Sequence, residues 1–393
     1  MAVTIIQEPQ LFSPASNPLV FTFTSDQTAQ VNFSYIIELY VNASLHSTHQ
    51  VFPESATAGK FDASQALRSF VSSDLPDLTT VQMNYSNAVA EYEILVYEKY
   101  GTPPIVQANA ASSTLKAFNG ALRHQDWIQF DYTQYDPSSV QGSLFMTNFP
   151  RNKRCLVGIR DNVFLAAFQT GAVPSTLIIR LYDITGASIV TDFIALTNTD
   201  LILLNLNTDL IQAETSITGA NFDDCFYYTV NVDYAGVSYT ETFTFYIDRE
   251  CERYERRRIH WLNKYGVWDS FTFTLVSQES TNVTASTYSK EKGAWNGTAY
   301  EYPLNQGQKV TYNKYATDTM IINSDWIHEY VQNWLAREIY ESPRVLLDQP
   351  SGLEPLNVNN ANYTLKQKRK DGLLQEQLTV DKTYTYNSQR EWI

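Results

Sequence analysis

Along most of this chain, apolar and polar residues alternate with a period of two, the pattern of half-buried strands. Residues 19–24 read Leu-Val-Phe-Thr-Phe-Thr. In 31–41, Val31, Phe33, Tyr35 and Ile37 alternate with Asn32, Ser34 and Ile36. In 91–100, Tyr92, Ile94 and Val96 share one face. A hairpin is predicted over 227–247, turning through Asp233-Tyr-Ala-Gly236, with Tyr239, Phe243, Phe245 and Ile247 on the dry face and Thr240, Thr242 and Thr244 on the wet one. Residues 177–182 and 201–206 add strands around a turn at Thr185-Gly186. Residues 259–273 read as strand, turn at Gly266 and strand, anchored by Trp261, Trp268, Phe271 and Phe273.

The period changes to that of a helix in two places. Asp62 stands as an N-cap before Leu67, Phe70 and Val71, which predicts one short helix. Ile327, Val331, Leu335 and Ile339 recur every fourth residue, with Trp326, Tyr330 and Trp334 as a second row, so a helix is expected over 324–341. Asp325 suits its positive end and Pro343 stops it. The fold class that follows is mainly β: two tandem β-sandwich domains, then an α+β domain made of a sheet or barrel and one amphipathic helix. The expected boundaries are 1–104, 105–250 and 251–393, with Pro103-Pro104 and the small residues of 107–113 as a stiff linker.

Composition sharpens this. The chain has 393 residues, more than one ordinary domain needs, and holds 26 Tyr, 20 Phe and 7 Trp, which suit pleated surfaces. Its net charge of −14 disfavours sequence-independent nucleic-acid binding. Cys155, Cys225 and Cys251 match no metal spacing and read as reduced thiols, with Cys225–Cys251 left open as one optional pair. The first residues lack a signal-peptide pattern, and no stretch approaches the ~20 apolar residues of a membrane span.

Catalytic signatures are absent from the sequence: no G-x-S-x-G elbow, no phosphate loop, no dinucleotide fingerprint. His46 and His49 form H-x-x-H without an acidic or Cys partner and read as an exposed loop pair; His260 reads as packed and His328 as solvent-facing. A carboxylate pair brought together only by the fold stays open. The expectation is a non-enzyme with no cofactor and no metal. Two charged runs are the candidate assembly contacts. In 249–258, Arg256, Arg257 and Arg258 either pair with their own neighbours or meet carboxylates of another subunit. Lys366, Lys368, Arg369 and Lys370 either keep a hairpin tip soluble or dock on an acidic partner.

Several stretches taken in order resemble virion structural proteins of tailed bacteriophages and prophages of Bacteroidetes, including crAss-like phages. They are Asn17-Pro18, Gly59-Lys-Phe61-Asp62, Phe118-Asn-Gly-Ala-Leu122, Leu144-Phe-Met-Thr-Asn-Phe-Pro150, residues 259–273, residues 325–335 and Ser342-Pro343-Arg344-Val345. The resemblance implies a tail, baseplate or neck component, located in the virion after assembly in the host cytoplasm. Its partners would be copies of itself and other virion proteins, and it carries over no catalytic residue. A ring protein of the tail or baseplate is expected first; a neck ring or connector and a capsid decoration or fibre protein are the alternatives. A further alternative, a carbohydrate-binding adhesin, would use aromatic platforms such as Trp295 or Trp127 for a glycan receptor.

Overall fold

The structure, a computed structural model, describes residues 3–387 apart from 55, 56, 84, 86, 152, 172, 174, 237, 250–252, 305, 306, 360–362 and 364–371. The fold is mainly β, as the alternation predicts, with several sheets and short helices. It divides into two compact units, Met1–Arg249 with Leu262–Ser270, and Glu250–Trp261 with Phe271–Ile393.

Unit 1 has two hydrophobic cores. In the first, a sheet of Thr4–Gln7, Val20–Thr24 and Ala58–Asp62 faces a sheet built around Ser34–Val41 and Val89–Gly101. Phe21 and Phe23 project into the gap, with Phe23 meeting Tyr35 at 4.8 Å between ring centroids. Phe33 and Tyr35 to Val41 follow the predicted alternation, but Val31 is exposed because the strand starts only at Ser34. Its hairpin return is made by Asn42 and Ala43, both at positive φ, as a two-residue turn demands. The helix predicted after Asp62 shrinks to the single turn Ser64–Leu67, where Asp62 Oδ1 accepts the Leu19 and Ser64 amides.

The second core lies between a sheet centred on Ser175–Tyr182 and Tyr227–Tyr234 and a smaller sheet of Phe164–Phe168, Leu201–Asn205 and Gln82–Met83. Thr240 corrects the predicted hairpin. It is buried rather than wet, its Oγ1 accepting the Val232 amide at 2.8 Å where the return strand breaks between Ser238–Tyr239 and Phe243–Ile247.

The boundary expected at 104 is also corrected. Pro103 follows a cis peptide bond in a hairpin turn, and the supposed linker forms the strand Pro104–Ala111, paired with Val89–Gly101. Small residues fit there because they pair along an edge, not because they are loose. Two segments tie the cores together: Val81, next to the strand Gln82–Met83, packs into the second core, and Phe168 stacks on Phe12 and meets Phe118.

Unit 1 is completed by Leu262–Ser270. Gly266 sits at φ +70°, and a Cβ there would lie 1.8 Å from the Asn119 carbonyl oxygen. Only glycine fits such an approach. The segment's polar groups are spent on the rest of unit 1. Asn263 Nδ2 donates to the Met146 carbonyl at 2.9 Å and to Asp269 at 3.1 Å. The Trp268 indole donates to the Asp74 carbonyl, Ser73 to the Gly266 carbonyl, and Ser270 to the Asn162 carbonyl. The Ala121 amide donates to the Lys264 carbonyl. Three stretches that look separate in sequence, 118–122, 144–150 and 262–270, therefore meet at one clamp.

Most of the largest sheet belongs to unit 2, and its order is Trp268–Phe273, Arg257–Leu262, Val345–Gln349, Gly352–Val358, Gln377–Asn387, Lys309–Asn323 and Gln278–Ser289. It is an open sheet, which settles the sheet-or-barrel alternative. The helix spans only Glu329–Glu338, because Ile327–His328 is taken up in a bridge to Leu373–Leu374. Val331, Trp334, Leu335 and Ile339 are buried, with Trp334 5.0 Å from Trp261. Trp326, placed by the sequence on the buried face, is 56% exposed because it precedes the helix. A buried polar group sits beside the helix: Gln332 and Tyr340 both donate to Glu376.

Candidate assembly surface

The strands Gln278–Ser289, Lys309–Asn323 and Gln377–Asn387 form an arm. Its root is ordinary core: Met320, Ile322, Leu378 and Val380 are fully buried. Beyond that root the alternation of burial stops. Every residue of Gln278–Ser289 except the half-buried Ser286 is exposed, on both faces of the strand, as are most of residues 309–315 and 383–386. The outer strand pairs along its whole length, Gln278 with Ile321 through to Ser289 with Lys309. At a strand rise of about 3.3 Å per residue its twelve residues span roughly 40 Å. It is also a sheet edge, with one side free of strand partners among the described residues.

What the arm exposes is aromatic. Tyr312, Tyr315, Tyr384 and Tyr386 line the strands, and Trp295, 63% exposed, and Tyr302 lie near the end on the small hairpin of Ala294–Trp295 and Tyr300–Glu301. Tyr288 and Tyr312 approach to 6.1 Å across the pair, and Tyr300 and Tyr302 to 5.4 Å. Tyr and Trp present large apolar area with few rotatable bonds and a polar tip, which suits them to contacts between proteins. Burial and the neighbouring Glu291 push the Tyr300 hydroxyl above its ordinary value. These side chains can stack, donate and accept; they hold no nucleophile–base pair.

The arginines singled out in the sequence lie on, or just before, the strand Arg257–Leu262. Arg258 is buried and donates to Thr272 at 2.6 Å. Arg257 bridges Glu255 at 3.0 Å and Glu279 at 3.1 Å, and Lys382 reaches Glu279 at 3.8 Å. Arg256 is half-buried. Arg257 and Arg258 thus each have polar partners in unit 2, and one of them, Glu279, lies on the outer strand of the arm. Lys366, Lys368, Arg369 and Lys370 lie outside the described residues, as does Cys251; Cys155 and Cys225 are not bonded to each other.

No protein-family model matches the chain, and no curated protein does. Among solved structures, a chimeric titin Z1Z2 functionalized with a KLER exogenous peptide from decorin is similar over 63% of this chain and 98% of its own, at 12% identity and a TM-score of 0.16. A likeness of that size bears on neither fold details nor function.

The histidines are disposed much as expected. His260 is fully buried and 3.2 Å from Asp348, His328 is exposed, and His46 and His49 are exposed but on the strand Ser44–Val51 rather than a loop. No group of His, Cys, Asp and Glu suited to a metal occurs among the described residues, and no described helix is long and apolar enough to cross a membrane. The arm was missed by sequence reasoning. Its signal was available: residues 278–289 carry Thr and Ser on both faces with few apolar residues, unlike the strands of the cores.

Proposed function

We propose that this chain is a non-enzymatic structural protein of a tailed-phage particle, a tail or baseplate ring component that assembles with copies of itself and with other virion proteins. The arm is the observation that supports this best. Strands exposed on both faces bury too little to be stabilised by their own chain, and hairpins of that kind gain order by adding to another surface. The resemblance of the ordered stretches to phage virion proteins supplies the setting. A glycan-binding adhesin draws on one specific observation, the exposed Trp295, and differs in stoichiometry: an adhesin binds sugar as an isolated chain.

The test compares the full chain with a variant in which residues 281–317 are replaced by a short Asn-Gly turn. Sedimentation velocity and negative-stain images are expected to show wild-type particles of fixed copy number and a monomeric variant. A wild-type chain that stays monomeric at every concentration reached overturns the reading, and specific retention of such a monomer on a glycan array establishes the adhesin instead.

A further inference from the structure

Charge along the arm is separated by end. The half that includes its buried root, residues 278–283, 316–323 and 377–386, holds Glu279, Asp318 and Asp381 against Lys382, a net −2. The outer half, residues 284–315, holds Lys290, Lys292, Lys309 and Lys314 against Glu291 and Glu301, a net +2. The arm as a whole is neutral, with an acidic root and a basic tip. Arg257 does not cancel the root, because its one guanidinium lies between Glu279 and Glu255.

The outer strand of the arm is also an edge left open. Proteins blunt their sheet edges by keeping them short or by adding charge, proline or a bulge. Several edges of this chain are treated so: Thr4–Gln7 has four residues, Phe12–Pro14 has three and ends in proline, and Ala58–Asp62 carries Lys60 and Asp62. Gln278–Ser289 runs for twelve residues without proline or glycine, and Glu279, at its root, is its one charge. Where its register shifts, the extra residue is Tyr312 on the inner strand, so the outer edge stays regular. At every second residue its N–H and C=O point away from that inner strand, toward a side free of strand partners among the described residues.

Resting on the assembly reading above, we infer that the arms of two copies join edge to edge along Gln278–Ser289, antiparallel, about a two-fold axis through the middle of that strand. This direction sets each basic tip against the other copy's acidic root, whereas parallel arms would set tip against tip and root against root. The side chains match as well. With the axis at Thr284, Thr281 stands opposite Thr287, Val283 opposite Ala285, and Thr284 opposite its own copy. Three strands of each arm then form one sheet of six, and the open edge is paired. Such a contact is isologous and closes at two copies, so a ring is built from these pairs through a second, different contact.

The experiment uses the full chain and the exposed Val283 beside the axis, changed in one variant to Lys (Val283→Lys) and in another to Glu (Val283→Glu). Sedimentation is read for each variant alone, for their equimolar mixture, and for wild type at low and high salt. Hydrogen exchange compares assembled with dilute wild-type protein. Across a two-fold axis each variant meets its own charge, so each alone is expected to pair at least about tenfold more weakly, and the mixture to return to within about threefold of wild type. Wild-type pairing should weaken as salt screens the two ends, and assembly should protect amides within Gln278–Ser289. If wild type assembles but either variant pairs equally well, the mixture shows no recovery, or 278–289 gains no protection, the two-fold pairing falls and the assembly reading stands. If wild type does not assemble at all, both fall.

Discussion

Two hairpins in the C-terminal part of the chain end in opposite ways. The one that turns at Gly266 brings Asn263, Trp268 and Asp269 into buried positions where their polar groups meet carbonyls and side chains of unit 1. The arm that follows it leaves Trp295, Tyr302 and Tyr312 in the open. The same chain seals Trp261 and Trp268 almost completely, so exposed rings are not a sign of poor packing. Where a hairpin completes its own unit, it is fixed by glycine geometry and by Asn and Asp satisfied on several sides. Where, as we propose, it is offered to another molecule, it keeps a polar strand surface studded with large rings.

The strongest way to break this contrast is a methyl group. Gly266→Ala forces a Cβ onto the Asn119 carbonyl at positive φ and is expected to cost about 4 kcal/mol or more, seen as loss of the main thermal transition. Gly297→Ala in the arm is also strained, at φ +101°, but meets nothing within 4 Å, and should leave that transition in place. Equal melting of the two variants would mean the turn at 266 can move aside.

Tryptophans give the next largest difference. Trp334→Ala removes a ring buried against Trp261 and should destabilise unit 2 by roughly 3–5 kcal/mol. Trp295→Ala should change stability by about 0.5 kcal/mol or less while weakening assembly. A stability loss from Trp295→Ala comparable to that from Trp334→Ala would place the arm's end in an intrachain core.

Smaller still is the hydrogen-bond comparison. Asn263→Ala strands the Met146 carbonyl and the Tyr265 amide, at a cost of about 1–3 kcal/mol in urea unfolding. Thr281→Ala loses only an exposed bond to Asp318, and its midpoint should hardly shift. An unchanged midpoint for Asn263→Ala would show that the clamp is dispensable.

How much of this was legible beforehand depended on whether a residue's partner was local. Tyr92, Ile94 and Val96, or the strand–turn–strand at Gly266, follow from period and turn chemistry, which act over a few residues. The strand Pro104–Ala111 did not, because a cis-proline hairpin and a linker begin with the same Pro-Pro. Trp326 was lost to a bridge with residues far along the chain, and no local pattern records that. For the candidate site, charge density pointed to Arg256–Arg258; Arg257 pairs with Glu255 and Glu279, and Glu279 is more than twenty residues away. The arm went unread because its defining property is the absence of a core beneath it.

A chemical probe ranks burial on the finest scale. Burial pushes the Cys225 thiol up to about 11, partly opposed by the Tyr182 backbone and Arg249, and its Sγ donates to the Tyr227 carbonyl. The stability linked to it is fully present below about 9, the ordinary thiol value, and is lost as pH rises through about 11, since the unfolded thiolate is favoured first. Alkylation followed by mass spectrometry at mildly alkaline pH should therefore label half-buried Cys155 well before Cys225. Equal labelling would show that the second core opens readily.

Because unit 1 is discontinuous, it has a timing problem during synthesis. Its first 249 residues leave the ribosome with both hydrophobic cores complete, while the carbonyls of Asp74, Met146 and Asn162 still await their donors. Those donors lie in Leu262–Ser270, which at about 5–20 residues per second arrive roughly 1–4 s later. For that interval the nascent chain is a collapsed body with an open polar seam, and the last step of folding unit 1 is the insertion of a turn that has only just been made.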